Sequence, residues 1–459
     1  MGYIVIFLSS CISEIKSFKN TEQVDEFLDG QSAYFNFNGN VLLADKGEIV
    51  FQKSYGYADF ETGRLLNDSS VFELASVSKQ FTATAILMLK DQGMLKLTDS
   101  LRLYFPELPY HDITLYHMLT HTSGLPDYEY SMIDHWDHNK IASNQDMIEF
   151  LAREKPPVTF LPGAGWAYNN TAYALLASII EKVSGQPYRD FMSSNIFRPL
   201  KMNHTRVYNH LPSEETPANY AGAFNLDDFK NNRSRPGDES ELNGIFPLDG
   251  IQGHVAISST TTDLLKWDRS VKDHALLSED TQQEMVTEQT EVDPRYQSSY
   301  GFGVYLTRTD LGKFIHHSGR WPGYYNFLAR NIDRDQTIIV LSNNESNSRQ
   351  IGMALYHIMN DKPVVMPYEH KEIKMEPAIL EQFTGKYKNI AEISIILTGD
   401  TLFRVAEGKP NVELKPESPT KFFYGDGTDR QLEFELDSNK SVIKAWFIGY
   451  GMKIEYQKL

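Results

Sequence analysis

Phe72-Glu73-Leu74-Ala75-Ser76-Val77-Ser78-Lys79-Gln80-Phe81-Thr82 is the stretch on which the reading of this chain turns. It runs into a segment, Phe81 to Leu95, that is apolar nearly all round, the pattern of a helix buried on most of its sides. Gly93 gives that helix a natural stop. Ser76 falls just before the helix and Lys79 follows three residues later, so one turn brings both to one face. A serine there has unpaired backbone N–H groups and the positive end of the helix dipole beside it. Both features stabilise an alkoxide, or the oxyanion of an attacked carbonyl. Lys79 is useful as a base only when neutral, and burial in an apolar setting is what brings a lysine to neutrality.

Spacing alone does not single out this pair. Ser13/Lys16, Ser418/Lys421 and Ser441/Lys444 share it. None has the same setting: Ser13 lies by the N-terminus, Ser418 precedes Pro419, and Ser441 opens an alternating run typical of a strand. Two further clusters follow Ser76 in order. Tyr168-Asn169-Asn170 comes after the loop Phe160-Leu161-Pro162-Gly163 and before the helical pattern Ala172 to Val183. Alternation sets Tyr168 and Asn170 on one side of an extended loop. A phenol there can relay a proton, and a carboxamide can orient a substrate amide. His317-Ser318-Gly319 continues the strand-like Phe314-Ile315-His316. Gly319 lets a substrate backbone approach closely, and His317 is the candidate donor to a substrate carboxylate or carbonyl.

Outward from these clusters, the chain has strand patterns at both ends and helices between. Val41-Leu42-Leu43 and Ile49-Val50-Phe51 flank the turn Asp45-Lys46-Gly47 as a hairpin. Residues 101–207 read as mostly helical, with breaks at Pro106, Pro126, Pro156-Pro157 and Pro162. Residues 213–249 are polar and irregular, a surface excursion, and Leu264 to Val271 is helical again. Strand patterns return at Gly303-Val304-Tyr305-Leu306, Phe314-Ile315-His316, Phe327-Leu328-Ala329 and Thr337-Ile338-Ile339-Val340-Leu341. The expected fold class is α+β, one sheet with a helical lobe inserted between its halves and a cleft between the two. After a Pro-punctuated linker at residues 362–377, residues 378–459 carry short alternating runs that predict a small all-β sandwich or barrel. Residues 20–361 then form the main domain, and residues 1–19 a leader.

The formal charge of −17 argues against a nucleic-acid partner, and no basic stripe offsets it. The one cysteine, Cys11, excludes an intrachain disulfide and a thiol metal site. It follows the apolar run Tyr3 to Leu8 in a Leu-Ser-Ser-Cys context that resembles the lipobox of bacterial lipoproteins. That resemblance implies an exported, lipid-anchored protein of the cell envelope, attached to the membrane through Cys11. The missing basic residues and short apolar run depart from a complete export signal. His117 and His121 have metal-like spacing but no Glu partner between them, and a structural role is expected of both. No Gly-x-Ser-x-Gly elbow supports an α/β-hydrolase route, and no Gly-rich phosphate loop is present; no cofactor and no metal is expected.

The three clusters and their flanks together resemble the serine β-lactamase and penicillin-binding-protein superfamily. The likeness is to the class C-like branch that holds D-alanyl-D-alanine carboxypeptidases, D-aminopeptidases and esterases. It spans about residues 20–360 and includes Leu119-Thr120-His121-Thr122-Ser123-Gly124-Leu125-Pro126 and Trp321-Pro322-Gly323-Tyr324. The resemblance implies a serine hydrolase in which Ser76 is acylated, with Lys79 and Tyr168 sharing the acid–base work in an order left open. It implies that Asn170, His317 and Gly319 bind substrate, and that the backbone N–H groups of Ser76 and Arg320 form the oxyanion hole. His317 stands where β-lactamases of this branch often carry lysine, which counts against strong β-lactamase activity. The substrates implied are D-amino-acid peptides, β-lactams or small esters. The C-terminal segment resembles a lipocalin-like appendage. A penicillin-binding sensor with little or no turnover is the alternative. Oligomeric state is not legible.

Overall fold

The computed structural model describes residues 18–208, 216–227, 232–234 and 246–459. The lipobox-like Cys11 lies outside them, as does much of the excursion expected at residues 213–249.

An antiparallel sheet of eight strands organises the main domain. Its order is Thr290–Asp293, Ser298–Tyr300, Tyr305–Thr309, Gly312–Trp321, Tyr324–Asn331, Gln336–Ser342, Gly39–Asp45 and Glu48–Tyr55. Strands from the two ends of the domain meet where Val41 lies opposite Val340 and Leu43 opposite Ile338. The hairpin between the first two strands turns on Lys46 and Gly47, both with positive φ, the backbone that suits the twist of paired strands. Gly39–Asp45 is buried on both faces, and its continuous apolar run reflects that position. Val41 and Leu43 face one core with the helices Thr21–Phe35 and Ser348–Met359. Leu42 and Ala44 face the other, larger core with the inserted helical lobe.

The expected buried helix runs Lys79–Asp91 and is entered through a 3-10 turn, Ala75–Ser78. Asn170–Ser184 packs beside it, and Thr261–Lys272 lies over the sheet. Two strands at the sheet edge, Thr290–Asp293 and Ser298–Tyr300, are too short and polar to stand out in the sequence. The strand expected at Gly303–Leu306 begins at Tyr305, because Gly301-Phe302-Gly303 makes a bend with Gly303 at positive φ. The helix Thr21–Phe35, with Gly30 toward its C-terminal half, gave no clear periodic signal; a Cβ built at Gly30 would lie 3.0 Å from the Pro367 ring.

Behind this domain, eight strands from Gly385 to Lys458 close into a barrel, the last pairing with the first at Tyr387 and Lys458. Closure leaves no free sheet edge. Phe383, Tyr387, Phe422, Leu432 and Phe434 fill the interior. The barrel is fixed to the main domain by Tyr450, which joins the outer core, and by Gln31, which donates to the Asp429 carboxyl at 2.5 Å.

Candidate active site

The site forms where three pieces of chain meet at the end of the sheet. The first is the turn Ala75–Ser78. Its lead-in, Phe72–Glu73, pairs with Ile257–Ser259, and the Leu74 N–H donates to the Ile257 carbonyl at 2.7 Å. Ala75, a residue with a Cβ, is held at φ 50 immediately before Ser76. Such backbone persists only where the surroundings impose it. The imposing neighbour is the strand Gly312–Trp321. Its pairing with Tyr305–Thr309 ends at His316, so residues 317–320 present a free edge to the turn. Gly319 fills the contact: a Cβ built there would lie 2.1 Å from the Leu74 carbonyl oxygen.

The second piece brings Asn170, at the start of the helix Asn170–Ser184. The Asn169 side chain caps this helix by accepting from the Ala172 N–H at 2.8 Å. Lys79 is wholly buried between the pieces. Its Nζ lies 3.1 Å from Ser76 Oγ, 2.8 Å from Asn170 Oδ1 and 3.3 Å from the His254 carbonyl oxygen. The ring of Tyr168 lies 4.6 Å from the same Nζ. Burial brings the Lys79 ammonium down to about 7, against the pull of Glu129 and Asp127, which favour its charged form. The consequence is geometric. Asn170 Oδ1 and the His254 carbonyl can only accept, so the two hydrogens of a neutral Lys79 go to them. Its lone pair is left for the Ser76 hydroxyl.

Asn170 is oriented at its other end by Glu129, whose Oε1 accepts from Nδ2 at 3.0 Å. Asp127 accepts from the Asn170 N–H at 3.4 Å and from the Glu129 N–H at 3.0 Å. Burial and the neighbouring Glu129 hold the Asp127 carboxyl above its usual range. Glu129 in turn faces His254 Nε2 at 3.5 Å, and Tyr128 bonds that nitrogen at 2.9 Å. The Tyr168 hydroxyl is buried without a well-formed hydrogen bond, with Ser76 near enough to act on it. Burial pushes that phenol well above its ordinary range, so it is neutral.

The third piece carries His317. Its side chain is in the cluster but is 1% exposed, and burial together with the Lys79 charge holds the ring down to about 3. Nδ1 lies 2.6 Å from the Ser318 carbonyl, which can only accept, so the ring proton sits there. Nε2 then accepts from the Tyr300 hydroxyl at 3.2 Å. With Nδ1 given to Ser318 and Nε2 accepting from Tyr300, this neutral ring has no N–H left for the donor role that the sequence suggested. Ser76, Lys79, Tyr168, Asn170, His317 and Gly319 thus come together. Asp127, Glu129, His254 and Tyr300 were not foreseen; the acidic pair two apart, beside the Thr-Ser-Gly-Leu-Pro segment, was the signal available for two of them.

The Beta-lactamase family matches residues 32–358. Penicillin-binding protein 4* of Bacillus subtilis (strain 168) is 37% identical over 418 residues, which cover 89% of this chain and 92% of that protein. The octameric penicillin-binding protein homologue from Pyrococcus abyssi superposes with a TM-score of 0.68 at 23% identity, over 95% of this chain and 99% of that one. D-amino acid amidase from Ochrobactrum anthropi SV3, solved with L-phenylalanine amide, gives a TM-score of 0.62 at 26% identity, over 75% of this chain and 98% of that one. By the family match over residues 32–358 and the 37% identity across most of both chains, the chain belongs to the β-lactamase family of serine hydrolases.

Proposed function

We propose that this protein hydrolyses amides or esters through an acyl-enzyme at Ser76. The observation that carries the reading is the Lys79 amine, whose hydrogens are taken by Asn170 and His254 and whose lone pair faces Ser76 Oγ at 3.1 Å. Lys79 takes the hydroxyl proton as Ser76 Oγ bonds to the substrate carbonyl carbon. The backbone N–H groups of Ser76 and Arg320 receive the oxyanion. Tyr168, held neutral, gives its proton to the leaving nitrogen or oxygen and takes one back from the Lys79 ammonium, so both are restored before water attacks the acyl-enzyme by the reverse path. Asn170 Nδ2, with a second hydrogen beyond the one given to Glu129, holds the acyl-side carbonyl. The test is intact mass spectrometry after exposure to a fluorophosphonate and, separately, a penicillin. One adduct on the wild type, absent from Ser76→Ala, is expected. An adduct that survives in Ser76→Ala refutes the assignment. A penicillin adduct that never decays would favour the sensor reading.

The charges of the site favour an acyl donor that carries an amine. Among the described residues, Lys79 is the one Lys or Arg hydrogen-bonded into the cluster, and it is turned to Ser76 and Asn170. Glu129 flanks Asn170 on the acyl side and is partly open to solvent. A substrate ammonium beside Glu129 fits this arrangement better than a substrate carboxylate, in keeping with the amidase among the structural relatives. Glu129→Gln is expected to lower kcat/KM for D-alanine amide by about 10–100-fold, the range for a hydrogen bond to a charged group. It should leave the N-acetylated amide little changed. The same variant loses the carboxylate that favours charged Lys79, so the acid limb of kcat/KM should move to lower pH.

A further inference from the structure

His121 was expected to be structural, and the geometry gives it a more particular task. It sits at φ 59, fully buried, in the segment that follows the short helix Leu115–Leu119. Its backbone carbonyl accepts from the Ala167 N–H at 3.0 Å. Its Nδ1 accepts from the Asn169 N–H at 3.1 Å. These are the two residues on either side of Tyr168. The imidazole itself lies against the Tyr168 ring, with centroids 4.5 Å apart, and also against Tyr300 at 4.7 Å and Tyr173 at 5.1 Å.

The bonding fixes the tautomer. A peptide N–H can only donate, so Nδ1 is bare and the ring proton is on Nε2. Nε2 is buried and has no hydrogen-bond partner among the described residues. A buried donor left without a partner is costly, so the other contacts of the ring must outweigh it. Burial, with Lys79 and His317 close by, holds the ring well below its usual range, which keeps Nδ1 free to accept. The next residues extend the grip on the same loop: the Gly163 N–H donates to the Thr122 carbonyl, and the Thr159 N–H to the Gly124 carbonyl, each at 2.8 Å. Of these contacts with the loop, the one at Tyr168 includes a side chain placed to move a proton.

We infer that His121 is a positioning residue for Tyr168, clamping the peptide groups on both sides of it and stacking on its ring so that the phenol stays aimed at Ser76. The inference rests on the acyl-enzyme reading, in which Tyr168 moves the proton to the leaving group. The backbone at φ 59 restricts the useful substitutions. His121→Gly suits that backbone and removes both ring and acceptor. His121→Asn also suits it, and places an Oδ1 where Nδ1 was.

The test is a double-mutant cycle on kcat with a D-amino-acid amide, accompanied by thermal melts. His121→Gly is expected to lower kcat by about 10²-fold, as a misplacement near 1 Å does, with KM changed far less. His121→Asn should recover most of that loss. In a Tyr168→Phe background, His121→Gly should cost less than about 3-fold more, because the group it positions is already gone. A merely structural role predicts the same loss in both backgrounds, following the melting temperature, and that result overturns the inference. Should His121→Gly fail to fold, His121→Gln serves, since it keeps the volume but carries its acceptor too far along to meet Asn169. If Tyr168→Phe alone leaves kcat unchanged, both the clamp and the role of Tyr168 fall, while the adduct at Ser76 reports separately on the nucleophile.

Discussion

Lys79→Met is expected to lower kcat/KM by about 10³-fold, within the range seen when a general base is removed. Methionine keeps the length and the apolar stem of the side chain, so the packing of the buried helix is largely preserved. What goes is the lone pair on Ser76. Lys79→Arg should be no more active, since a guanidinium stays charged and cannot take the proton. That second variant separates a base from a mere positive charge: substantial activity in Lys79→Arg would overturn the proton-acceptor role. The wild-type pH profile follows from the same group. Burial holds Lys79 down to about 7, so the competent neutral form grows as pH rises through 7, and kcat/KM should rise with it. Stability carries the complementary signature. The folded pKa lies below the unfolded one, so between about 7 and about 10.4 the unfolded chain binds more protons and stability increases with pH. Lys79→Met should lack that increase, which urea melts across the window would show.

How much of this was legible in the sequence depends on how local the cause is. Ser76 and Lys79 are three residues apart on one turn, and their setting is written in the apolar helix that follows. The sheet was legible where strands are buried on both faces, as at Val41–Leu43 and Thr337–Leu341, and illegible at its polar edge, as at Thr290–Asp293. The electrostatics of the site were not legible. His317 reads as a basic residue in a row of letters, yet its ring is neutral because the fold buries it beside the Lys79 charge, with its one proton on Nδ1 donated to the Ser318 carbonyl. Glu129 reads as one acidic residue among many, yet it orients Asn170 from a segment 41 residues away. The left-handed backbone of Ala75 is likewise imposed by the strand that abuts it rather than by any preference of alanine.

Gly319→Ala should test that last contact, slowing turnover as well as lowering stability. The glycine does not serve an unusual backbone here, because its φ lies outside the positive range. It serves a close approach. An added Cβ would stand 2.1 Å from the Leu74 carbonyl oxygen and 3.2 Å from the Ala75 Cβ. Neither neighbour can step aside cheaply, since Leu74 is tied to Ile257 and Ala75 already holds a strained backbone. Relief therefore comes from moving the turn away from the strand, and Ser76 moves with it. Overpacking of this kind costs about 1–3 kcal/mol of stability. A displacement of the nucleophile near 1 Å lowers turnover by about 10²-fold. Gly222→Ala is the control, as its added Cβ would meet nothing closer than the Ala58 carbonyl oxygen at 3.7 Å. The comparison is read from kcat/KM and melting temperature together. A Gly319→Ala protein that melts lower but turns over normally would show that the strand edge and the Ser76 turn are not held in register by this contact. A protein that still folds but is slow would place the role of Gly319 in the position of the nucleophile rather than in room for substrate alone.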